Sequence, residues 1–284
     1  MKILLTASPG TGKSTIIDSV VQRFPGSKGG IVAREILNDS GERTGFTAVD
    51  QTGAARQFMY RTDSPDQASI GGLFNVDLDA LDNFVVPALS LCRSQNLQLI
   101  YVDEIGRAQA RSKAFLEIVR VLLSEDTTLL GSIVFEDEPW SLEFKQHAEV
   151  ILLPVTLANR SFLPDILLAA YQQADAFCRL NRRQKQAVSA FLKHFLDCGQ
   201  FMAARKLFTN AIGYVIERKV EITEEKPALR CFKISGQSRA HELVWHRDTD
   251  SFVCDCDLSN GRGDFADAPE ICSHQMSVQL LELA

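Results

Sequence analysis

The sequence predicts an α/β domain on a mainly parallel sheet, followed by a helical segment and a small module of short strands closed by one helix. Three observations carry this expectation. An apolar run, Met1–Thr6, enters a Gly-rich turn and leaves it as an amphipathic helix. A second apolar run, Leu97–Val102, ends in two adjacent carboxylates, Asp103 and Glu104. Near the end of the sequence, three cysteines and a histidine gather in two close pairs.

At about 100–200 residues per domain, 284 residues suit two domains or so. With 23% charged and 45% apolar residues the composition is that of a globular protein, which argues against disorder. The net charge of −6 is unevenly spread: residues 1–170 hold 15 Lys+Arg against 21 Asp+Glu, and residues 171–284 hold 15 of each. The apolar run in "MKILLTASPG" is too short for a secretory signal, and no stretch approaches the ~18 apolar residues that span a bilayer. A soluble, cytoplasmic protein with no membrane role is expected. In that setting Cys92, Cys178, Cys198 and Cys231 read as reduced residues among apolar neighbours, whereas the cluster suggests a metal before a disulfide.

The turn "ASPGTGKS" (Ala7–Ser14) fits the phosphate-binding P-loop except that Ala7 replaces its first glycine. Gly10 and Gly12 let the backbone turn its N–H groups onto phosphate oxygens, and the following helix adds a favourable dipole. The expected nucleotide contacts are Ala7, Ser8, Pro9, Gly10, Thr11, Gly12, Lys13, Ser14 and Thr15, with Lys13 reaching the β- and γ-phosphates and Ser14 ligating Mg²⁺. A P-loop needs an acidic strand end beside it. Asp103 is expected to hold Mg²⁺ with Ser14, and Glu104 to orient and deprotonate the attacking water. A further cation usually stabilises the transferring phosphoryl group; Arg107 and Arg160 are the first candidates, with Arg111 behind them, and Ser132 is a candidate γ-phosphate sensor at the end of its strand.

Four motifs in order resemble the small nucleoside-triphosphatases of thermophiles and their human cancer-related relative. They are the P-loop, "GGIVAREILNDSGERTGF" (Gly29–Phe46), "VDEIGRAQARS" (Val102–Ser112) and "VTLANRSFLPDIL" (Val155–Leu167). The resemblance implies a P-loop NTPase fold that hydrolyses ATP, GTP and other nucleoside triphosphates with loose base selectivity. Ala33, Arg107, Gln109 and Ser161 depart from the family's usual Thr, Lys, acidic residue and Asp.

From about Leu167 the pattern turns helical. Val188, Phe191, Leu192, Phe195 and Leu196 share one face, Gly199 ends that helix, and a second amphipathic helix follows through Val215. Between Ala176 and Val220 nine Lys+Arg face two Asp+Glu, densest at "NRRQK". This surplus is either a solvated face or a contact for DNA, RNA or an acidic protein. "VEITEEKPALR" (Val220–Arg230) reads as a linker or strand boundary.

Short strands follow, with a hairpin pivot near Asp248–Asp250. On an extended strand Cys254 and Cys256 point the same way, and the loop Asp257–Ile271 brings back Cys272 and His274, a Cys₃His set suited to tetrahedral Zn²⁺. Free cysteines or a local disulfide would leave His274 unexplained. Cys-x-Cys followed by Cys-x-His resembles the SWIM-type zinc finger, which implies a structural metal site and contact with DNA or protein partners. The expected division is 1–170 (P-loop nucleoside-triphosphatase), 171–225 (basic helical segment) and 226–284 (zinc-binding β/α finger). A small-molecule or nucleotide kinase, or a nucleotide-switched binding module, would use the same residues.

Overall fold

The computed structural model describes residues 1–63, 69–235, 240–249, 251–256 and 272–283. The loop expected between the two Cys/His pairs, Asp257–Ile271, lies outside the described residues. The chain divides into two compact units, Met1–Pro164 and Asp165–Ala284.

In the first unit β1 (Lys2–Thr6) leads through the glycine-rich turn into α1 (Lys13–Arg23), which buries Ile16, Ile17 and Val20. Then come β2 (Lys28–Leu37), β3 (Arg43–Asp50), β4 (Ala55–Arg61) and β5 (Phe74–Val76). A continuous helix α2 (78–94), with one wider turn over Leu81–Val85, leads to β6 (Leu99–Ile105). The rest is α3 (Lys113–Ser124), β7 (Leu129–Ile133), α4 (Pro139–Lys145) and β8 (Val150–Pro154). The eight strands form one sheet in the order β5-β4-β3-β2-β6-β7-β1-β8. From β2 to β8 every pairing is parallel, and the inner strands β6, β7 and β1, with β8, are rich in apolar residues because helices shield a parallel sheet. β3, β4 and β5 extend the β2 edge in antiparallel pairing.

This order sets the site. β7 lies between β1, which carries the P-loop, and β6, which carries Asp103 and Glu104, so three strand ends converge at the carboxyl edge of the sheet, where open α/β sheets bind ligands. The ladder between β6 and β7 shifts register between Val102 and Ile105, a bulge that re-aims the two carboxylates.

In the second unit α5 (Leu163–Gln172), which begins at the end of the first, is followed by α6 (Ala174–Cys178), α7 (Arg182–Asp197) and α8 (201–216). Asn181 and Gln184 close a capping box at the start of α7, and Gly199, at φ +71°, follows its last turn as anticipated. β9 (Val220–Glu225), β10 (Leu229–Ser235), β11 (Ala240–His246) and β12 (Ser251–Cys254) form an antiparallel sheet in the order β12-β11-β10-β9, and α9 (Ser273–Leu281) covers it.

The stretch read as a linker or strand boundary, Val220–Arg230, holds the edge strand β9 and the start of β10; the polar residues of β9 fit an edge, and β10 pairs with one side of its backbone. Helices and sheet share contacts within this unit. Gln184 Nε2 donates to Leu280 O at 3.0 Å and Asn181 Nδ2 to Leu283 O at 3.2 Å, while Phe232, Ile234, Leu243 and Val278 form a core with Cys254, Cys256 and Cys272. No helix among the described residues is long and apolar enough to cross a membrane.

Candidate active site and metal centre

The P-loop opens outward from β1: Ala7 is buried, while Ser8, Pro9 and Gly10 are exposed. Gly12 caps α1 at φ +109°, a left-handed conformation that few L residues adopt. Lys13 folds its ammonium back over the loop, donating to Ala7 O at 2.7 Å and Ser8 O at 3.3 Å. Thr11 Oγ1 also donates to Ser8 O, at 2.8 Å. Burial lowers the Lys13 pKa against the opposing pull of Glu104, Asp103 and Glu136, which puts all three carboxylates within electrostatic reach of the loop.

Asp103 is 2% exposed. Burial raises its pKa, and hydrogen bonding from Ser132 and Ser14 works the other way. Its Oδ1 accepts from Ser132 Oγ at 2.8 Å; Oδ2 is buried with no hydrogen-bond partner among the described residues. A buried carboxylate oxygen beside the Ser14 hydroxyl is a donor set that fits Mg²⁺.

Glu104 follows at φ +73°, strained for a residue with a side chain. Its pKa rises to about 7, first through burial and then through Asp103, with Lys13 and Arg43 pulling it down and Glu35 pushing it up. Ser132 joins the two acidic residues: its hydroxyl donates to Asp103 Oδ1 and accepts the Glu104 backbone N–H at 2.8 Å. Ser132 is thus buried and braces the two acidic residues through one hydroxyl.

The three candidate arginines separate. Arg160 overlies the P-loop, where a Cβ on Gly12 would lie 3.8 Å from its Cδ. Asn159, 3% exposed, anchors the preceding turn by donating from Nδ2 to Pro154 O at 3.0 Å and accepting the Thr156 N–H on Oδ1 at 2.9 Å. Arg107 instead points to Glu138, its Nε donating to Oε1 at 2.5 Å, and the Arg111 charge also acts on Glu138. One residue escaped the sequence reading. Arg43 on β3 pairs with Glu35, lies 5.1 Å from the Phe46 ring centroid and lowers the Glu104 pKa. Its signal was the Gly-Glu-Arg-Thr-Gly-Phe segment, Gly41–Phe46, read as a motif without a role for its arginine.

In the second unit the ligating atoms of Cys254, Cys256, Cys272 and His274 all lie within 4.8 Å of one another, and all four residues are buried. Cys254 Sγ stands 3.6 Å from His274 Nδ1, near the ~3.5 Å edge that Zn–S and Zn–N bonds of about 2.3 and 2.0 Å imply for a tetrahedron. Burial lowers the His274 pKa, but Cys256 and Cys272 outweigh it and raise it to about 9; the Cys254 thiol is pushed up by hydrogen bonding to Cys256 and Cys272. Protons crowded among buried donors are what a dication would replace, so the set fits Zn²⁺.

A parallel sheet bearing a glycine-rich phosphate cradle at one strand end, with a buried Asp and a Glu beside it, defines the first unit as a P-loop domain. The NTPase family profile matches residues 2–168, more than half of the sequence, and the chain belongs to that family. It is 29% identical over 186 residues to nucleoside-triphosphatase THEP1 of Thermotoga sp. (strain RQ2), covering 66% of this chain and 100% of the relative. A THEP1 of Methanosarcina barkeri is 30% identical over 169 residues, 58% of this chain and 93% of the relative. The crystal structure of THEP1 from Aquifex aeolicus superimposes with a TM-score of 0.53 at 25% identity, covering 58% of this chain and 96% of that one.

Proposed function

We propose that the chain hydrolyses nucleoside triphosphates, ATP and GTP among them, at the P-loop, with Glu104 as general base. The observation that carries this reading is the Glu104 carboxyl, raised to about 7 next to Lys13 and braced beside Asp103. A base of that pKa is partly ionised at neutral pH and basic enough to take a proton from water. Loop N–H groups and Lys13 hold the β- and γ-phosphates. Glu104 accepts the water proton as oxygen bonds to the γ-phosphorus; the bond to the bridging oxygen breaks, and the diphosphate leaves with its electron pair. Lys13, with Arg160 above the loop, offsets the charge that develops. Ser14 and Asp103 would hold Mg²⁺, which when bound neutralises charge on the phosphate oxygens. Arg107 takes part only by leaving Glu138.

For the second unit we propose a structural zinc centre of SWIM type on Cys254, Cys256, Cys272 and His274, and a DNA, RNA or protein partner contacted through residues 171–284. Support for the partner comes from Arg179, Arg182, Arg183, Lys193 and Arg205, all exposed and none with an ion pair among the described residues. Arg182 and Arg183 sit in the first turn of α7, where the helix dipole disfavours positive charge, so local helix stability does not explain them.

The test is phosphate release from ATP, GTP, CTP and UTP, with Mg²⁺ or with EDTA, and with or without single- and double-stranded nucleic acid. Turnover of several triphosphates that EDTA abolishes is the expected result. Transfer to an added acceptor faster than to water would instead mark a kinase. Unchanged turnover and no binding of nucleic acid would leave a protein as the partner.

A further inference from the structure

We propose that His241 positions the His274 ligand of the metal centre, and that Asp255 holds His241 in place. The inference rests on reading the Cys/His cluster as a zinc site. The His274 ring stacks on two others: the His241 centroid is 4.1 Å away at 29°, and that of Tyr214 is 5.6 Å away at 16°. Nδ1 of His274 faces the sulfurs, 3.6 Å from Cys254 Sγ. Turning that ring would carry Nδ1 away from the metal position, and the ring cannot turn without parting the stack.

His241 is itself pinned. Its side chain is 14% exposed, and its Nδ1 meets Asp255 Oδ1 at 2.9 Å. Asp255 stands between the two cysteine ligands Cys254 and Cys256, and its backbone N–H donates to Glu242 O at 3.0 Å, so the pin and the ligands ride on one strand end. His241 is not among the four mutually close donors, which makes it a neighbour of the site and not a fifth ligand. Partners that orient a ligating histidine typically matter 10–100-fold in metal affinity.

The experiment uses the full chain. Zinc content is measured by elemental mass spectrometry, zinc release by transfer to a colorimetric chelator, and ligand geometry by the absorption spectrum of the Co²⁺-substituted protein. His241→Ala should release zinc about tenfold faster or more and alter the Co²⁺ spectrum. His241→Phe, which keeps a ring in the stack, should recover most of the wild-type rate, and Asp255→Ala should fall between. Wild-type protein carrying zinc that His241→Ala releases no faster, with an unchanged Co²⁺ spectrum, would overturn the positioning role. Wild-type protein that takes up no zinc would overturn the metal reading itself. If His241→Ala does not fold, Asp255→Ala decides: faster release supports the proposal, and release at the wild-type rate sinks it.

Discussion

Replacing Ser132 with Ala removes one hydroxyl that braces both acidic residues. Ser132 is 2% exposed, accepts the Glu104 N–H at 2.8 Å and donates to Asp103 Oδ1 at 2.8 Å. A buried N–H left without a partner costs about 1–3 kcal/mol, and a lost hydrogen bond to a charged group about 1.5–3 kcal/mol. The two share one hydroxyl and do not add fully, so a loss of about 3 kcal/mol is expected. Glu104, held at φ +73° in the bulge, would lose its anchor, and the Asp103 pKa, which Ser132 holds down, would rise further. Urea unfolding should show a midpoint lowered by roughly 1–3 M at unchanged slope for a slope of about 1–3 kcal/mol/M. Turnover should fall with little change in KM, because the damage is to the base and not to the phosphate cradle. An unmoved midpoint with full turnover would refute the brace.

Other outcomes follow from the same geometry. Arg160→Ala should lower kcat by about 100-fold while nucleotide affinity changes little, and Arg107→Ala should do less, since Arg107 is engaged with Glu138; steady-state kinetics of the two variants checks the ranking. Gly12→Ala meets little steric hindrance, its nearest neighbour being Arg160 Cδ at 3.8 Å. It does force a side chain into φ +109° at a cost of about 1–2 kcal/mol, and fluorescent-nucleotide titration should show weakened binding. Glu104 binds its proton more tightly folded (about 7) than unfolded (4.5), so its contribution to stability falls as pH rises between those values. Without nucleotide or metal, wild type should lose roughly 3 kcal/mol relative to Glu104→Gln from pH 4.5 to 8, read by denaturant unfolding at each pH. Cys256→Ser should lose zinc and lower the unfolding temperature of the second unit, read by calorimetry.

What the sequence made legible was local. Gly10 and Gly12 between an apolar strand and an amphipathic helix identify the loop because the chain must turn there, and the apolar run Leu97–Val102 reads as a buried strand, which β6 realises from Leu99 onward. The family-like motif Gly29–Phe46 spans the antiparallel pair β2 and β3. What depends on neighbours distant in sequence was not legible. Ser132 became a brace only because strand order puts β7 between β1 and β6. Arg160 and Arg107 look alike in sequence and are distinguished by the turn that Asn159 anchors and by the pull of Glu138. Val220–Glu225 alternates only as far as Thr223 before ending in two glutamates, and its pairing partner β10 supplies what composition does not. His241 fell outside the paired ligand spacing, and only the fold stacks it on His274.

The measurement that bears most directly on the central claim compares nucleotide binding and single-turnover hydrolysis in wild type and Glu104→Gln. The substitution removes the base while keeping the side chain's shape beside Asp103 and Lys13. ATP should bind with near wild-type affinity while hydrolysis falls by 10²-fold or more, the range of general-base catalysis. Hydrolysis at the wild-type rate would contradict the account, and the proton from the attacking water would have to go elsewhere.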